Sequence, residues 1–285
     1  MSKAHTPLPP WIKKRLGSGS GYVRTEQYLD TLGVETICTQ AKCPNQGECW
    51  ARGTATVLIL GNICTRNCGF CSVSHGRPQP PDPREPERIS KLAGKLGISY
   101  LVITSVDRDD LSDGGAGQFR DVVLRCREDH PQMEFELLVP DFKGVSELAL
   151  EVLEEALPFV FGHNVETVPE LYSKARPGGD YRRSLELLER AKQRRREVET
   201  KSSLMLGLGE TDHQVMQVLS DLREAGVDRL CLGQYLKPSR ESLDVAEFVT
   251  PKKFRWWKEQ AESLGFSWVI SEPFARSSYH ADGQP

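Results

Sequence analysis

The sequence predicts an α/β chain built as an incomplete (β/α)6 TIM-type barrel with an extension at each end. Three observations carry this. Apolar strands alternate with amphipathic helices, the strands are continuous apolar runs, and the alternation is too short for eight units. Strand-then-helix repetition implies parallel strands joined by right-handed crossovers. Continuous apolar runs fit strands covered on both faces. The repetition fits within residues 54–266, shorter than the ~250 residues of a complete eight-unit barrel. A doubly wound open sheet satisfies the same pattern and stays open at this point. No GxGxxG or GxxxxGK[ST] loop is present, and GLGE at 207–210 has the wrong spacing for either.

Residues 1–20, rich in Pro, Gly and Ser, read as an extended surface arm. A turn or two of helix is expected at Tyr22–Leu32. The β-branched run TATVLIL (54–60) is the first strand, and it leads into the cysteine-rich GNICTRNCGFC. A Pro-rich loop at 77–86 feeds a helix at Arg84–Leu96, closed by Gly97. YLVITSV (100–106) is the second strand, with a helix at Gly117–Glu128. FELLVP (135–140) is the third, followed by apolar residues at helical spacing from Val145 to Ala156. FVFGHNVET (159–167) and a helix at Tyr181–Arg195 make the fourth unit. TKSSLMLGLGE (200–210) opens the fifth, whose helix carries Val215, Leu219, Leu222 and Ala225 and closes at Gly226. RLCLGQYL (229–236) and a helix at Pro251–Leu264, closed by Gly265, make the sixth. SWVIS (267–271) is a short last strand.

The chain has 285 residues, 38% hydrophobic and 27% charged, with a net charge of −3. That is apolar enough for a core and too apolar for a disordered chain. A general nucleic-acid binder is usually basic, so no nucleic-acid partner is expected. No run approaches the ~18 apolar residues of a membrane span, so no membrane partner is expected either. The start MSKAHTPLPPWIKKRL has no apolar h-region and no Arg/Ser-rich amphipathic run, so neither a secretory signal nor a transit peptide is read there. The expected location is the cytoplasm.

Six of the eight cysteines fall between residues 38 and 71. In a reducing compartment such a cluster points to metal rather than to disulfides. Cys64-x3-Cys68-x2-Cys71 follows the first strand, at the end of a barrel strand where active sites sit. Three thiolates on one loop can hold an iron–sulfur cluster and leave one position open for a reactant. A zinc loop with His75 as fourth ligand is the alternative. Cys38-x4-Cys43-x5-Cys49 is too widely spaced for one zinc knuckle and needs a non-cysteine fourth ligand from elsewhere. Cys126, in the second helix, and Cys231, in an apolar strand, read as buried hydrophobes. His75, His130, His163, His213 and His280 show no ligand spacing, and only His163 lies where it could matter. The Arg194–Arg196 run reads as a solvated helix end, or as a surface for an acidic carrier domain.

Cys64-x3-Cys68-x2-Cys71 on such a barrel resembles the radical S-adenosylmethionine superfamily. The upstream Cys38-x4-Cys43-x5-Cys49, together with ARSSYHA (275–281), resembles the lipoyl synthase family within it. TSVDRDDL (104–111), HNVETV (163–168), KARPGGDY (174–181) and KSSLMLGLGE (201–210) match the same family, from about residue 20 to the end.

The resemblance implies an α/β barrel in which Cys64, Cys68 and Cys71 are catalytic and hold a [4Fe–4S] cluster that binds S-adenosylmethionine. It implies that Cys38, Cys43 and Cys49 hold an auxiliary, sacrificial [4Fe–4S] cluster, with a serine of the tail as fourth ligand: Ser278, or else Ser277. The implied activity is that of a sulfurtransferase, inserting two sulfur atoms at carbons 6 and 8 of a protein-bound octanoyl-lysine; the alternatives are another radical enzyme with an auxiliary cluster, sulfur-inserting or peptide-modifying, and a non-enzymatic iron–sulfur electron carrier. Phe70 is expected near the adenine, with core packing the alternative. Asn164, Glu166, Arg176, Ser203 and Glu210 are candidate S-adenosylmethionine contacts, with loop-capping hydrogen bonds the alternative. Implied partners are octanoylated lipoyl-carrier domains (acyltransferase subunits of 2-oxoacid dehydrogenases, and the glycine cleavage H protein), an electron donor such as ferredoxin or flavodoxin, and iron–sulfur cluster carrier proteins. The organisation expected is an extension at 1–53 with the auxiliary cysteines, the partial barrel at 54–266, and the tail at 267–285.

Overall fold

A computed structural model describes residues 8–14 and 19–281. Most of the expected N-terminal arm and the last four residues of the tail lie outside them.

The extension holds α1 (Ser20–Leu32), α2 (Ile37–Gln40) and α3 (Gln46–Ala51). The barrel then runs β1 (Val57–Ile59), β2 (Ile63–Cys64), β3 (Ser74–His75), α4 (Glu85–Leu96), β4 (Tyr100–Ser105), α5 (Ala116–Asp129), β5 (Glu134–Leu138), α6 (Ser146–Glu154) and β6 (Val160–Gly162). A 3-10 turn (Pro169–Leu171) leads into α7 (Tyr172–Ala175), α8 (Tyr181–Arg194), β7 (Thr200–Leu206), α9 (Asp212–Glu224), β8 (Arg229–Gln234), α10 (Pro251–Ser263) and β9 (Trp268–Glu272).

Seven parallel strands pair in the order β1-β4-β5-β6-β7-β8-β9. That order follows the chain without reversal, whereas a doubly wound sheet reverses at a switch point. The barrel is therefore the architecture, and it is partial: β1 and β9 are edges that do not pair with each other. Strand side chains alternate between faces. Leu101, Ile103, Phe135, Leu137, Phe161, Leu204, Leu206, Leu230 and Leu232 pack outward with Phe119, Val122, Leu187 and Leu219 of the helices. The inward positions are more polar, with Glu136, Lys201, Ser203 and Cys231 all buried.

Helix α1 is longer than expected, because its stability comes from packing. Thr25 Oγ1 donates to the Trp50 carbonyl at 2.8 Å and the Tyr22 and Trp50 rings stand 5.3 Å apart. Gly21 is required there, since a Cβ would lie 2.3 Å from the Ala51 carbonyl oxygen. Helix α9 starts with a capping box, Thr211 with Gln214. Among the described residues no helix is long and apolar enough to cross a membrane.

Inside the barrel Lys201 Nζ lies 2.9 and 2.8 Å from the two Glu136 oxygens, and Tyr100 donates its hydroxyl to the same carboxylate at 3.1 Å. Both charged side chains are almost wholly inaccessible to solvent. Removing one partner would leave the other charge buried and alone. Lys201→Met is expected to lower stability by ~3–5 kcal/mol. Lys201→Met combined with Glu136→Leu should recover most of that. Urea denaturation of the two variants checks both outcomes.

Candidate functional site

The first feature is the loop that leaves the carboxyl end of β1 with Cys64, Cys68 and Cys71. Its backbone is tied on three sides. Thr65 N donates to the Asp107 carbonyl at 3.0 Å, Gly69 N to that of Ala175 at 2.9 Å, and Leu243 N to that of Gly69 at 2.8 Å. Gly69 has no room for a side chain, because a Cβ would come within 2.6 Å of the Lys174 carbonyl oxygen. The Leu243 segment, between β8 and α10, also donates from Ala246 N to the Gly207 carbonyl at 2.8 Å.

Arg66, between Cys64 and Cys68, is buried and held by aspartates. It donates to Asp109 at 2.7 and 2.6 Å and to Asp141 at 2.6 Å, with Asp107 at 3.3 Å. Asp141, fully buried, also pairs with Arg183 at 2.8 Å. Burial alone would raise the Asp141 pKa, but Arg66 more than offsets it and holds the carboxyl well below the usual range. This clamp was not legible as a site in the sequence. The available signal was the aspartate-rich turn after the second strand, set against an arginine inside the cysteine motif.

All eight cysteines are free thiols. Burial pushes Cys64 up to about 11 and Cys68 up to about 12, with the Asp107 carboxylate adding to both. Burial also pushes Cys38 up to about 11 and Cys49 up to about 12, with neighbouring thiols adding. Those four thiols favour the protonated form, and a metal that binds them must displace their protons. Among the described residues no three His, Cys, Asp or Glu side chains converge as they would around one ion. His75, the fourth ligand of the zinc alternative, is exposed.

The second feature is a cleft of about 660 Å³, open to solvent, lined by Cys38, Cys43, Cys49, Tyr100, Ser278 and Tyr279 among others. Cys38 is on α2, Cys49 on α3 and Cys43 between them. The C-terminal tail reaches this cleft by turning inward beside β8. Gln234 N donates to the Pro273 carbonyl at 3.2 Å. The Ala275 carbonyl oxygen then lies 2.2 Å from where a Cβ on Gly233 would stand, so only glycine fits. Ser277 accepts from Asn164 Nδ2 at 2.8 Å, and Tyr279 donates to Glu48 at 2.9 Å.

Asn164, Glu166 and Arg176 come together beyond β6, where the Glu166 backbone meets Ser203 within β7. Asn164 Nδ2 also donates to Glu166 at 3.1 Å, and Arg176 Nη1 to the Asn164 carbonyl at 3.0 Å. Glu166 has a φ of 69°, uncommon without glycine, and its backbone bridges to Ser203 and Met205. Burial raises its carboxyl pKa, opposed by Arg176. Phe70 is half-buried within the cysteine loop. Glu210 stands apart, accepting from Gly207 N and Leu208 N of its own loop.

His163 is buried with both ring nitrogens engaged, Nδ1 donating to the Val139 carbonyl at 2.8 Å and Nε2 3.0 Å from Ser184 Oγ. Arg194 and Arg195 are not simply solvated: Arg194 pairs with Glu147 and Glu154, and Arg195 with Glu154. Cys126 and Cys231 are buried as expected.

Residues 58–222 match the family described as the Radical SAM superfamily. The fold agrees. A crystal structure of Streptococcus suis SuiB bound to S-adenosylmethionine superposes with a TM-score of 0.59 at 13% identity, over 75% of this chain and 49% of that one. Methylornithine synthase superposes with a TM-score of 0.56 at 13% identity, over 86% of this chain and 81% of that one. A radical SAM barrel enzyme is thus the class. The lipoyl synthase of Methylococcus capsulatus is 52% identical over 276 residues, covering 97% of this chain and 86% of that one. That of Thiobacillus denitrificans is 50% identical over 277 residues, covering 97% and 89%. The chain belongs to the lipoyl synthase family. With that membership come sulfurtransferase activity, S-adenosylmethionine and [4Fe–4S] clusters as cofactors, and lipoyl-carrier proteins as the general class of partner.

Two outcomes are expected from this geometry. Arg66→Met leaves buried Asp141 with Arg183 alone and should cost ~2–3 kcal/mol. Iron bound at the Cys64, Cys68 and Cys71 loop should fall with it, and Arg66→Lys should restore only part of both in denaturation and iron assays. The second outcome concerns acid. Burial lowers His163 to about 3, so below its ordinary pKa of ~6.5 the unfolded chain takes up a proton that the folded chain refuses. Its contribution is whole above pH ~6.5 and is lost as pH falls, at up to ~1.4 kcal/mol per unit. His163→Gln should flatten the stability profile between pH ~6.5 and 5, measured against the parent.

Proposed function

We propose that the chain inserts sulfur at carbons 6 and 8 of an octanoyl chain amide-linked to a lysine of a lipoyl-carrier protein. The observation that carries this reading is the presence of two three-cysteine sites on one barrel, with a tail serine in the wall of only one of them. Cys64, Cys68 and Cys71 would hold the catalytic cluster, and Cys38, Cys43 and Cys49 with Ser278 the auxiliary one.

The donor sets fit. Three half-buried thiols on one clamped loop leave a coordination position for S-adenosylmethionine. At the other site a hydroxyl oxygen joins three thiols, a harder ligand that iron gives up more readily than thiolate. Ser277 has its hydroxyl engaged by Asn164 and does not line the cleft, which favours Ser278 as the ligand. When bound, the cofactors supply a radical strong enough to take hydrogen from an unactivated alkane carbon, together with the sulfur to be inserted.

The chain supplies position and exclusion of water. The Arg66 clamp sets the thiols of its loop at fixed spacing. Asn164, Glu166, Arg176 and Ser203, with Phe70 nearby, form the polar wall proposed to orient S-adenosylmethionine. Glu210 caps the 207–210 loop and stands apart from that wall. Proposed partners are the octanoylated domains of 2-oxoacid dehydrogenase acyltransferases and the glycine cleavage H protein. A ferredoxin or flavodoxin would deliver electrons, and cluster carrier proteins would reload the auxiliary site. Free thiols throughout suit a cytoplasmic setting.

The two sites should separate by mutation. Cys68→Ala is expected to abolish 5′-deoxyadenosine formation while leaving the auxiliary site loaded. Cys43→Ala should keep 5′-deoxyadenosine formation, lose about half of the iron on the reading of one cluster per triplet, and give no lipoyl product. Mass spectrometry of an octanoyl-lysine peptide reads the product. Wild-type lipoyl yield from Cys43→Ala would remove the sulfur-donor role.

A further inference from the structure

The tail is held on both sides of Ser278 by side chains that are not cysteines. On one side Ser277 is tied to Asn164. On the other, Tyr279 donates its hydroxyl to Glu48 Oε1 at 2.9 Å. Glu48 lies on α3, directly before Cys49. Lys14 Nζ lies 2.9 Å from the other carboxylate oxygen, Glu48 Oε2, and also contacts Asn45 Oδ1. The same ammonium stands 4.7 Å from the centre of the Tyr279 ring and 5.3 Å from that of Phe274. Asn45 in turn donates from Nδ2 to the Phe274 carbonyl at 2.8 Å. One cation therefore meets two aromatic rings of the tail and two polar side chains of the cysteine-bearing extension.

We propose that Lys14, Glu48 and Tyr279 form a clasp that positions the tail so that Ser278 faces the three thiols. The clasp is a positioning device, and what the positioned serine does rests on the reading of this cleft as the auxiliary cluster site. A phenol donating to an ionised carboxylate is among the stronger hydrogen bonds. Cation–π contact adds to it where the ammonium is partly desolvated. The clasp needs no cluster to form, because all of its atoms belong to the chain. It therefore holds the serine in place while the cleft is empty and ready to be loaded, and preorganises a ligand that lies far from the cysteines in sequence.

The test uses the full-length chain and two readouts. The first needs no iron. Trypsin can cut after Arg276, and intact mass reports the loss of the tail. Tyr279→Phe should speed this cut about tenfold in the cluster-free chain, the loss of roughly one charge-assisted hydrogen bond. Glu48→Gln, which keeps an acceptor for the phenol, should speed it less. An unchanged rate for Tyr279→Phe overturns the clasp. The second readout is iron-57 Mössbauer spectroscopy of the reconstituted holoenzyme without S-adenosylmethionine. Tyr279→Phe should lose the signature of an oxygen-ligated iron while keeping most of its iron. A freed tail with that signature intact overturns the positioning role. Ser278→Ala separates the two ideas: it should lose the signature yet keep the tail protected. If Ser278→Ala keeps the signature, the ligand reading fails, and the trypsin rates still judge the clasp alone.

Discussion

A parallel barrel that stops at seven strands has an inner face and an open side, and both must be filled. The inner face here is polar, with Glu136, Lys201, Ser203 and Cys231 buried along it. No helix can cover such a surface with an apolar stripe. The two ends of the chain do it instead. The tail passes beside β8, close enough that Gly233 tolerates no side chain. The extension meets the start of β1, where Ile37 N donates to the Thr56 carbonyl at 3.2 Å. The cleft between extension and tail is thus a by-product of leaving the barrel open, and its walls carry three thiols and a serine.

The loop with Cys64, Cys68 and Cys71 solves a different problem. The proposed cluster needs its three thiols at fixed spacing. A buried arginine with three aspartate neighbours supplies that rigidity. Asp107 and Asp109 come from the turn after β4 and Asp141 from the turn after β5, so the loop is fastened to both turns together. Such networks stabilise only when all members are present, because an isolated buried charge is costly. The two sites therefore rest on unlike foundations: an ionic clamp at one, a terminal clasp at the other.

The strands and long helices were legible because each leaves a local mark. Apolar runs mark strands, and Gly97, Gly226 and Gly265 sit in the left-handed region after α4, α9 and α10. The helices α2 and α3 left no such mark, since four and six residues are too few for a period to show. Both triplets were visible as spacing, and Ser278 through the resemblance of the tail. The clamp was not, because Arg66 finds Asp109 and Asp141 at separations of 43 and 75 residues. The clasp was hidden for the same reason, with Tyr279 and Glu48 separated by 231. Local composition cannot encode a partner that the fold brings from so far away.

The reach of the tail also bears on how the protein is made. Contacts of high sequence separation form late, after the entropy of closing long loops has been overcome. The loop with Cys64, Cys68 and Cys71 takes one of its backbone hydrogen bonds from Leu243, and the first triplet waits for Ser278 and Tyr279. A chain emerging from its N-terminus exposes all six clustered cysteines long before either wall exists. Throughout that interval they are loose thiols on an unfinished polypeptide. On the proposed reading of both triplets as cluster sites, neither wall is complete until the later parts of the chain are in place.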